Sequence, residues 1–466
     1  MNPLLEAAER SGQSRRAFLR NLLFSAGSLA TASWLSACRN SSSSSAVGVL
    51  RSRLANIGPL QAPDENGVQL PAGFSSRVVA VFNEPPIPDN PGFLWHSDPD
   101  GGAVFRTDDS GWIYVSNSEV RDSTTGGAAG LPGTSREHVE SLGLLRGGVS
   151  ALRFDASGNL VDAYPVQRNT TTNCSGGVTP WGTWVNGEEI LDGYMFECSP
   201  LRDGGEPLRL DRFGRKAHEM VALDPEGRAI YHTEDMAGDE RFYRTIFESA
   251  SSWPAGDRPD WQQGLLQVLA VDAGIEAARL GPVPIRWINA IDDGRPQSEV
   301  YLDDATIFEG NEGCWFHSGF VFFSTKSDDN IWAIDTIGNT IESIYNPADG
   351  PVGSPVDPEE PPLAGVDNIT MTLDGEMVVV EDGGDMRAMV LLPDRSTIPL
   401  LRLPGDPNVT EVTGPAFSPD GRRLYVASQR ALRNGLPAGF GTGGVVYEIS
   451  LPFAVRVDPP LAGYML

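Results

Sequence analysis

The sequence has 466 residues, with 62 Asp and Glu against 35 Lys and Arg and a formal net charge of −27. A field of this sign repels DNA, RNA and anionic lipid surfaces, which disfavours nucleic-acid binding. It suits a protein that gathers hard cations through carboxylates, although solubility alone would also account for it. With five His and four Cys, none of the latter in a CxxC pair, zinc ligation by nitrogen and sulfur is poorly supported.

The N-terminal region resembles an export signal. Twin Arg at 15–16 precede the weakly apolar stretch 22–37, which is too short and too mild for a stable membrane span. Leu-Ser-Ala before Cys38 resembles a lipobox, in which that Cys is lipidated. Residues 1–38 are therefore predicted to be a twin-arginine signal with a lipobox, and 39–60 a Ser-rich tether. We expect a periplasmic or outer-surface protein that is held to a membrane by lipid on Cys38.

Beyond residue 60, short β-rich runs recur, each entering an Asp- and Gly-containing turn and leaving as a second strand. Five segments share this pattern: 149–160, 220–233, 330–341, 368–381 and 414–428. Repeated hairpins of this kind are typical of propeller blades, because Gly and Asp supply tight hairpin turns. The pattern predicts an all-β chain, with 61–466 forming a single β-propeller domain of about five or six blades with inserted loops.

The densest local signal is the run NCSGGVTPWGTW at 173–184, which is followed by Glu188 and Glu189. Its glycines allow backbone to approach a ligand closely, and Cys174 could supply a thiolate to a metal. A buried Cys in a tight turn is the alternative. A propeller binds ligands at its central channel, so ligands from distant segments are expected to converge there.

Acidic residues recur at the same place in successive hairpins, at 188–189, 234–235 and 381–382. Adjacent strand residues point to opposite faces, so only one of each pair can face the channel. Each pair alone is ordinary turn chemistry. Five or more carboxylates buried together, however, require neutralising cations, and bound metal ions would supply them.

At these residues the chain resembles the PhoX-type alkaline phosphatases. Besides 173–189, the segments DGGAVFRTDDSGWIYVSNSE, RFGRKAHEMVALDPEG, YHTEDMAGDERFYR, EGCWFHSGFVFFSTK, VDNITMTLDGEMVVVEDGG and EVTGPAFSPDGRRLYVASQ resemble family motifs in family order, from about 70 to 430. The resemblance implies a β-propeller that hydrolyses phosphate monoesters with calcium and a pair of ferric ions, one of them bound by a Cys. One departure is Ser118, where many of these phosphatases carry His; it is compatible with a subgroup of altered activity.

Carried over to this sequence, the resemblance makes Cys174 the iron thiolate. The metal-ligand candidates are Glu119, Cys174, Glu188, Glu189, Glu219, Glu234, Glu312, Asp367, Glu381 and Glu411. The candidates for catalytic roles are Cys174, Glu189, Glu312 and Glu381. Arg241 and Arg244 are candidates for binding the phosphate of a small phosphorylated substrate.

Two other functions stay open at this stage. One is a calcium-dependent propeller hydrolase of another class, such as a lactonase, which would not need Cys174 or iron. The other is a non-catalytic surface binding propeller. After processing at Cys38 three Cys remain, so at least one is free or pairs outside the chain. We expect a monomer.

Overall fold

The computed structural model describes residues 53–120, 135–236, 238–300, 302, 304–349, 360–439 and 441–462. The predicted signal, Cys38 and most of the Ser-rich tether lie outside these residues, so the structure does not test them. The described part contains 26 strands and two short α-helices, α1 (Arg136–Ser141) and α2 (Ile275–Leu280). None of the described helices is long and apolar enough to cross a membrane.

The strands form six antiparallel sheets, which are the blades. The first strand in the chain is β1 (Ser75–Val81). Blade 1 contains β2 (Pro99–Arg106), β3 (Trp112–Ser118), β4 (Gly147–Phe154) and β5 (Leu160–Thr170). Blade 2 contains β6 (Asn173–Val178), β7 (Trp184–Glu188), β8 (Met195–Cys198) and β9 (Leu208–Leu210). Blade 3 contains β10 (His218–Asp224), β11 (Ala229–Glu234), β12 (Tyr243–Ile246), β13 (Leu265–Ala270) and, at its edge, β15 (Arg286–Asn289).

Blade 4 contains β16 (Asn311–His317), β17 (Phe320–Thr325), β18 (Asn330–Asp335) and β19 (Thr340–Tyr345), with β14 (Val283–Pro284) at its edge. Blade 5 contains β20 (Val366–Met371), β21 (Met377–Glu381), β22 (Arg387–Leu391) and β23 (Thr397–Arg402). Blade 6 contains β24 (Val412–Phe417), β25 (Arg423–Ser428) and β26 (Val445–Ser450), with β1 outermost. The predicted propeller is confirmed, with six blades, and all five predicted hairpins are present.

The blades close into a ring around a central axis. The first strand of each blade contacts the first strand of the next, in the order β2, β6, β10, β16, β20, β24 and back to β2. The ring is completed by β1, which pairs antiparallel with β26 from Ser75 opposite Ser450 to Val81 opposite Val445. The earliest described strand is thereby fixed to the last, and six inner strands line the axis.

Several middle strands differ from the predicted alternation of apolar and polar residues. In β21 three consecutive valines are buried, because a blade inside the ring is covered on both faces. Val378 and Val380 pack with the blade 6 core, whereas Val379 packs with the blade 4 core. Each such side chain contributes on the order of 1.5–3 kcal/mol by leaving water.

The C-terminal segment 456–462 crosses one end of the axis. It begins at the β20–β21 turn, where Leu373 N donates to Arg456 O at 2.8 Å and Arg456 pairs with Asp374 at 2.7 Å. It ends beside β2, where Ala462 N donates to Arg106 O at 2.7 Å. Between these points, 457–460 lines a largely apolar axial cavity that also touches all six inner strands. The polar groups of the inner strands gather at the opposite end.

Candidate metal centre

Five inner strands carry a β-bulge at the same place. In blade 1, Pro99 is opposite Ser118 and Gly102 is opposite Ser116, so Asp100 and Gly101 together face one residue of β3. A bulge turns its side chain away from the regular pleat. The first bulge residues of blades 1 to 5 are Asp100, Cys174, Glu219, Glu312 and Asp367. In blade 6 the bulge falls one residue later, after Thr413.

A second set follows the end of the second strand in each blade. The residue that comes directly after each strand end is Glu119, Glu189, Asp235, Lys326, Asp382 and Gln429 for blades 1 to 6. Side chains drawn from these two sets lie close together in two groups. One ligand atom each from Asp100, Glu119 and Cys174 lie within 4.8 Å of one another, and so do those of Cys174, Glu189 and Glu219. The Cys174 sulfur is shared, so four carboxylates from three blades surround one thiol.

Two glycines allow the bulges of neighbouring blades to come this close. A Cβ on Gly101 would lie 2.6 Å from Ser175 Cα in blade 2, and a Cβ on Gly313 would lie 2.4 Å from Asp367 O in blade 5. Real Cβ atoms do not approach backbone so closely. Because any larger residue would push the inner strands apart, glycine after the donor is a geometric requirement of the centre.

The central acids are buried and repel one another. Desolvation, followed by neighbouring carboxylates, raises the pKa of Asp100 and of Glu219 well above the ordinary range. Burial likewise raises the pKa of Asp367, and it raises that of Glu312 to about 8. The Cys174 thiol pKa is also raised, first by burial and then by Asp100 and Glu219. Burial therefore disfavours the charged forms of these side chains, whereas a bound cation would favour them.

The donor set fits metal ions. Among the described residues, Asp100 Oδ1 and Glu219 Oε2 are buried without a hydrogen-bond partner, although each sits in one of the two tight groupings. Buried polar atoms are nearly always satisfied, so open atoms in both groupings around one thiol indicate a ligand. Carboxylate oxygens suit hard cations such as calcium, and the single thiolate suits a transition metal such as iron.

Protein cations and an amide contact axial acids of several blades. Lys326 Nζ lies 2.5 Å from Glu312 Oε1 and 2.9 Å from Asp382 Oδ2. Arg430 Nη2 lies 3.1 Å from Glu411 Oε1 and 3.3 Å from Glu119 Oε2. Gln429 Nε2 donates to Glu119 Oε2 at 2.6 Å and also to Asp100.

The structure brings Glu119, Cys174, Glu189, Glu219, Glu312, Asp367 and Glu411 from the predicted ligand set to the axis. It does not bring the first residue of the adjacent pairs there. Glu188 accepts from Arg136 Nε at 3.1 Å and from the amides of Thr171 and Tyr194. Glu234 accepts from the Tyr243 hydroxyl at 2.9 Å.

Glu381, predicted to be both a ligand and catalytic, is held inside blade 5 by Arg387 and by the amides of Ala364, Asp385 and Arg387. All three first-position acids thus point into their blades, and the second residue of the pair lies at the axis. Ser118 holds this same first position, where its hydroxyl donates to Ser97 O at 2.9 Å. Ser118, where many PhoX-type phosphatases carry His, therefore lies beside the axial donors and is not one of them.

The two predicted phosphate-binding arginines also lie elsewhere. Arg241 donates to both Asp239 oxygens and to the carbonyls of Gln297 and Val300. Arg244 lies on β12, the third strand of its blade, where its guanidinium donates to Gln267 and covers the Trp287 ring at 4.3 Å. These contacts engage both guanidinium groups with residues of blade 3 and of the loop at 297–300, and their role in binding phosphate stays a prediction.

The sequence interpretation missed Asp100, Asp235, Asp382, Lys326, Gln429 and Arg430. A usable signal was present, because each lies at or beside one of the two repeated positions. Asp100 precedes Gly101 just as Glu312 precedes Gly313, and Lys326 follows its strand end just as Asp382 does. The remaining Cys residues of the described chain, Cys198 and Cys314, are free and buried in blades 2 and 4.

Comparison with known proteins agrees with this arrangement. Residues 191–329 match the family described as alkaline phosphatase PhoX, a segment that contains Glu219, Glu312 and Lys326. A comparison with curated protein sequences found no match. Among solved structures, Pseudomonas fluorescens PhoX in complex with vanadate, a transition-state analogue, is similar with a TM-score of 0.64 at 15% identity, over 85% of this chain and 97% of that chain.

A gluconolactonase from Xanthomonas campestris has a TM-score of 0.41 at 12% identity, over 86% of this chain and 100% of that chain. At so low a score it adds nothing to the assignment. The fold and the axial donors define a six-bladed β-propeller with a candidate metal centre. Over residues 191–329 the chain is similar to the PhoX-type alkaline phosphatases, the family that its ordered motifs resemble.

Proposed function

We propose that this chain is an exported phosphatase that hydrolyses small phosphate monoesters with calcium and iron bound on the propeller axis. The observation that carries the proposal is the Cys174 thiol, shared between two tight groupings of buried acids. A carboxylate cluster alone would suit calcium chemistry of several kinds, including a lactonase. A thiol within it is accounted for by a transition metal.

The residues would divide the work by donor type. Cys174 would hold iron together with acids of the two groupings, Asp100 and Glu119 on one side and Glu189 and Glu219 on the other. Calcium would be bound by carboxylate oxygens on the same side of the axis. When bound, such ions polarise a phosphoryl oxygen and lower the pKa of coordinated water. The bulges fix the donors on strands, which orients them before a substrate arrives.

The charge of the chain makes metals a precondition for binding an anionic substrate. A phosphate ester would be repelled by the axial acids of a protein whose net charge is −27. Protein cations do not reverse this field, because Lys326 and Arg430 already lie against Glu312 and Glu411. Bound ions would create a local cationic site inside an anionic protein.

Export and anchoring form the second part of the proposal. The pair at 15–16 would direct the folded, metal-loaded protein to the twin-arginine pathway, and Cys38 would carry the lipid. Replacing both arginines with Lys should leave the protein in the cytoplasm, whereas C38A should release it from the membrane in soluble form. Fractionation of the producing cells distinguishes these results. A membrane-bound C38A protein would contradict the anchor.

The decisive experiment compares C174A with C198A, because both remove a buried thiol from blade 2 and only Cys174 lies in the axial groupings. Metal content is measured by elemental analysis, and turnover with p-nitrophenyl phosphate before and after chelation. The wild type and C198A should contain iron and calcium and lose turnover on chelation. C174A should lose iron and at least about 100-fold in kcat. Calcium without iron or phosphatase activity in the wild type would overturn the proposal and favour a lactonase or a binding propeller.

A further inference from the structure

The axial centre is asymmetric in how its acids are neutralised. On the side of blades 1 to 3, the tight groupings around Cys174 consist of acids and a thiol, and the Arg430 guanidinium lies 3.3 Å from one of these acids, Glu119. On the side of blades 4 and 5, an ammonium group already lies among the acids. Lys326 Nζ makes its 2.5 Å contact within blade 4, to Glu312, and its 2.9 Å contact across to blade 5, to Asp382.

The surroundings of Lys326 resemble a cation site in composition. Glu312 and Asp382 contact the ammonium directly, and Asp235 and Asp367 also act on it electrostatically. Four carboxylates from three blades are a typical oxygen donor set for calcium. Glu312 is 3% exposed and Lys326 is 31% exposed, so the lysine reaches inward from the rim to a buried acid.

Lys326 occupies a position that recurs in every blade. Each blade presents one residue after its second strand, and four of the six are acids: Glu119, Glu189, Asp235 and Asp382. In blade 4 the same position holds a lysine. This position adds a negative charge in those four blades, whereas in blade 4 it supplies a positive charge at a fixed place.

We propose that Lys326 acts as a built-in cation that takes the place of a divalent metal ion among Glu312, Asp382, Asp235 and Asp367. The metal ions are thereby confined to the Cys174 side of the axis. The proposal rests on the metal centre of the proposed function, but it concerns a site that Lys326 occupies in place of a metal ion. Lys326 is a positioning residue, because it holds two acids and keeps an ion out.

The test is the number of calcium ions bound by K326Q, with K326R as the matched variant that keeps the charge. Equilibrium dialysis with radioactive calcium gives the stoichiometry of wild type, K326Q and K326R, and circular dichroism with thermal melting verifies that each is folded. K326Q should bind one calcium more per chain than the wild type, and K326R should match the wild type. In K326Q the additional D382N change should remove the extra ion.

The outcome separates this inference from the proposed function. An extra calcium in K326Q supports it even if the wild type contains no iron and lacks phosphatase activity. Equal stoichiometry in folded K326Q and wild type overturns it, even if the wild type is an active iron and calcium enzyme. An extra ion in K326R as well would also overturn it, because the charge would then not be what excludes the metal. If K326Q does not fold, K326M is measured in its place against the same expectations.

Discussion

Arg387 donates two parallel hydrogen bonds to Glu381, from Nε to Oε2 at 3.0 Å and from Nη2 to Oε1 at 2.6 Å. Both side chains are buried, at 1% and 0% exposure. A paired, bidentate carboxylate has its charge already balanced and its lone pairs engaged. Glu381 is therefore part of the blade 5 framework, while its neighbour Asp382 takes the axial position beside Lys326.

The first prediction follows from this pair. E381Q leaves the buried Arg387 with one carboxylate fewer and should lower the free energy of unfolding by about 3–5 kcal/mol. Urea denaturation measures the change. D293N, which breaks the exposed pair with Arg295, is the control and should cost less than about 1 kcal/mol. Metal content per folded E381Q molecule should equal that of the wild type; loss of metal without loss of stability would place Glu381 back in the centre.

The contrast between these neighbours shows where sequence reasoning stops. Hairpin turns, blade repetition and the family motifs are local, and they predicted a propeller with its donors on the axis. The sequence also showed that only one acid of each adjacent pair could face the channel. Which one does so depends on bulges in the inner strands and on partners such as Arg387, from the neighbouring strand, and Arg136, which is 52 residues from Glu188 in the chain. Those contacts exist only in the folded ring.

Lys326, Gln429 and Arg430 were missed for a related reason. Acids were sought because clustered acids indicate metal, whereas a cation or amide at the same repeat position carries no such signal by itself. In the structure each of them contacts an axial acid: Lys326 contacts Glu312, Gln429 contacts Glu119 and Arg430 contacts Glu411. A search by position in the blade, instead of by residue type, would have included them.

The second prediction concerns Gly101. G101A places a Cβ 2.5 Å from Ser175 Oγ and 2.6 Å from Ser175 Cα, so the inner strands of blades 1 and 2 must separate. We expect a loss of about 1–3 kcal/mol in the free energy of unfolding. Because Asp100 and Cys174 lie beside the clash, metal affinity should fall as well. G92A is the control, since its nearest neighbour is 3.7 Å away and its cost should be within about 0.5 kcal/mol. Equal effects of the two variants would contradict the close approach.

The third prediction tests the placement of Arg244. R244A removes the contact with Trp287 and the bond to Gln267, both within blade 3. It should change KM for p-nitrophenyl phosphate less than about twofold, and cost about 0.5–2 kcal/mol of stability through the lost ring contact. Steady-state kinetics and thermal melting measure the two effects. A tenfold rise in KM at unchanged stability would indicate that Arg244 binds the substrate.

The last prediction concerns pH and metal together. Burial raises the folded-state pKa of Glu312 from its ordinary 4.5 to about 8, and it raises those of Asp100, Glu219 and Asp367. A carboxyl with a raised folded pKa stabilises the fold fully below its unfolded pKa, and this contribution is lost as pH rises through the folded pKa. The metal-free protein should therefore lose stability from about pH 4.5 up through pH 8.

Bound cations remove this loss by favouring the charged carboxylates. The difference in Tm between metal-loaded and chelated protein should widen between pH 5 and pH 8, by roughly 5 °C or more. Differential scanning calorimetry at matched ionic strength measures it. The control is E376Q, because Glu376 is a buried acid with a pKa raised to about 7 that bonds Thr372, far from the axial groupings. Its substitution should flatten the pH dependence of both forms equally. A Tm difference that is constant with pH would mean that the axial acids are already charged without metal.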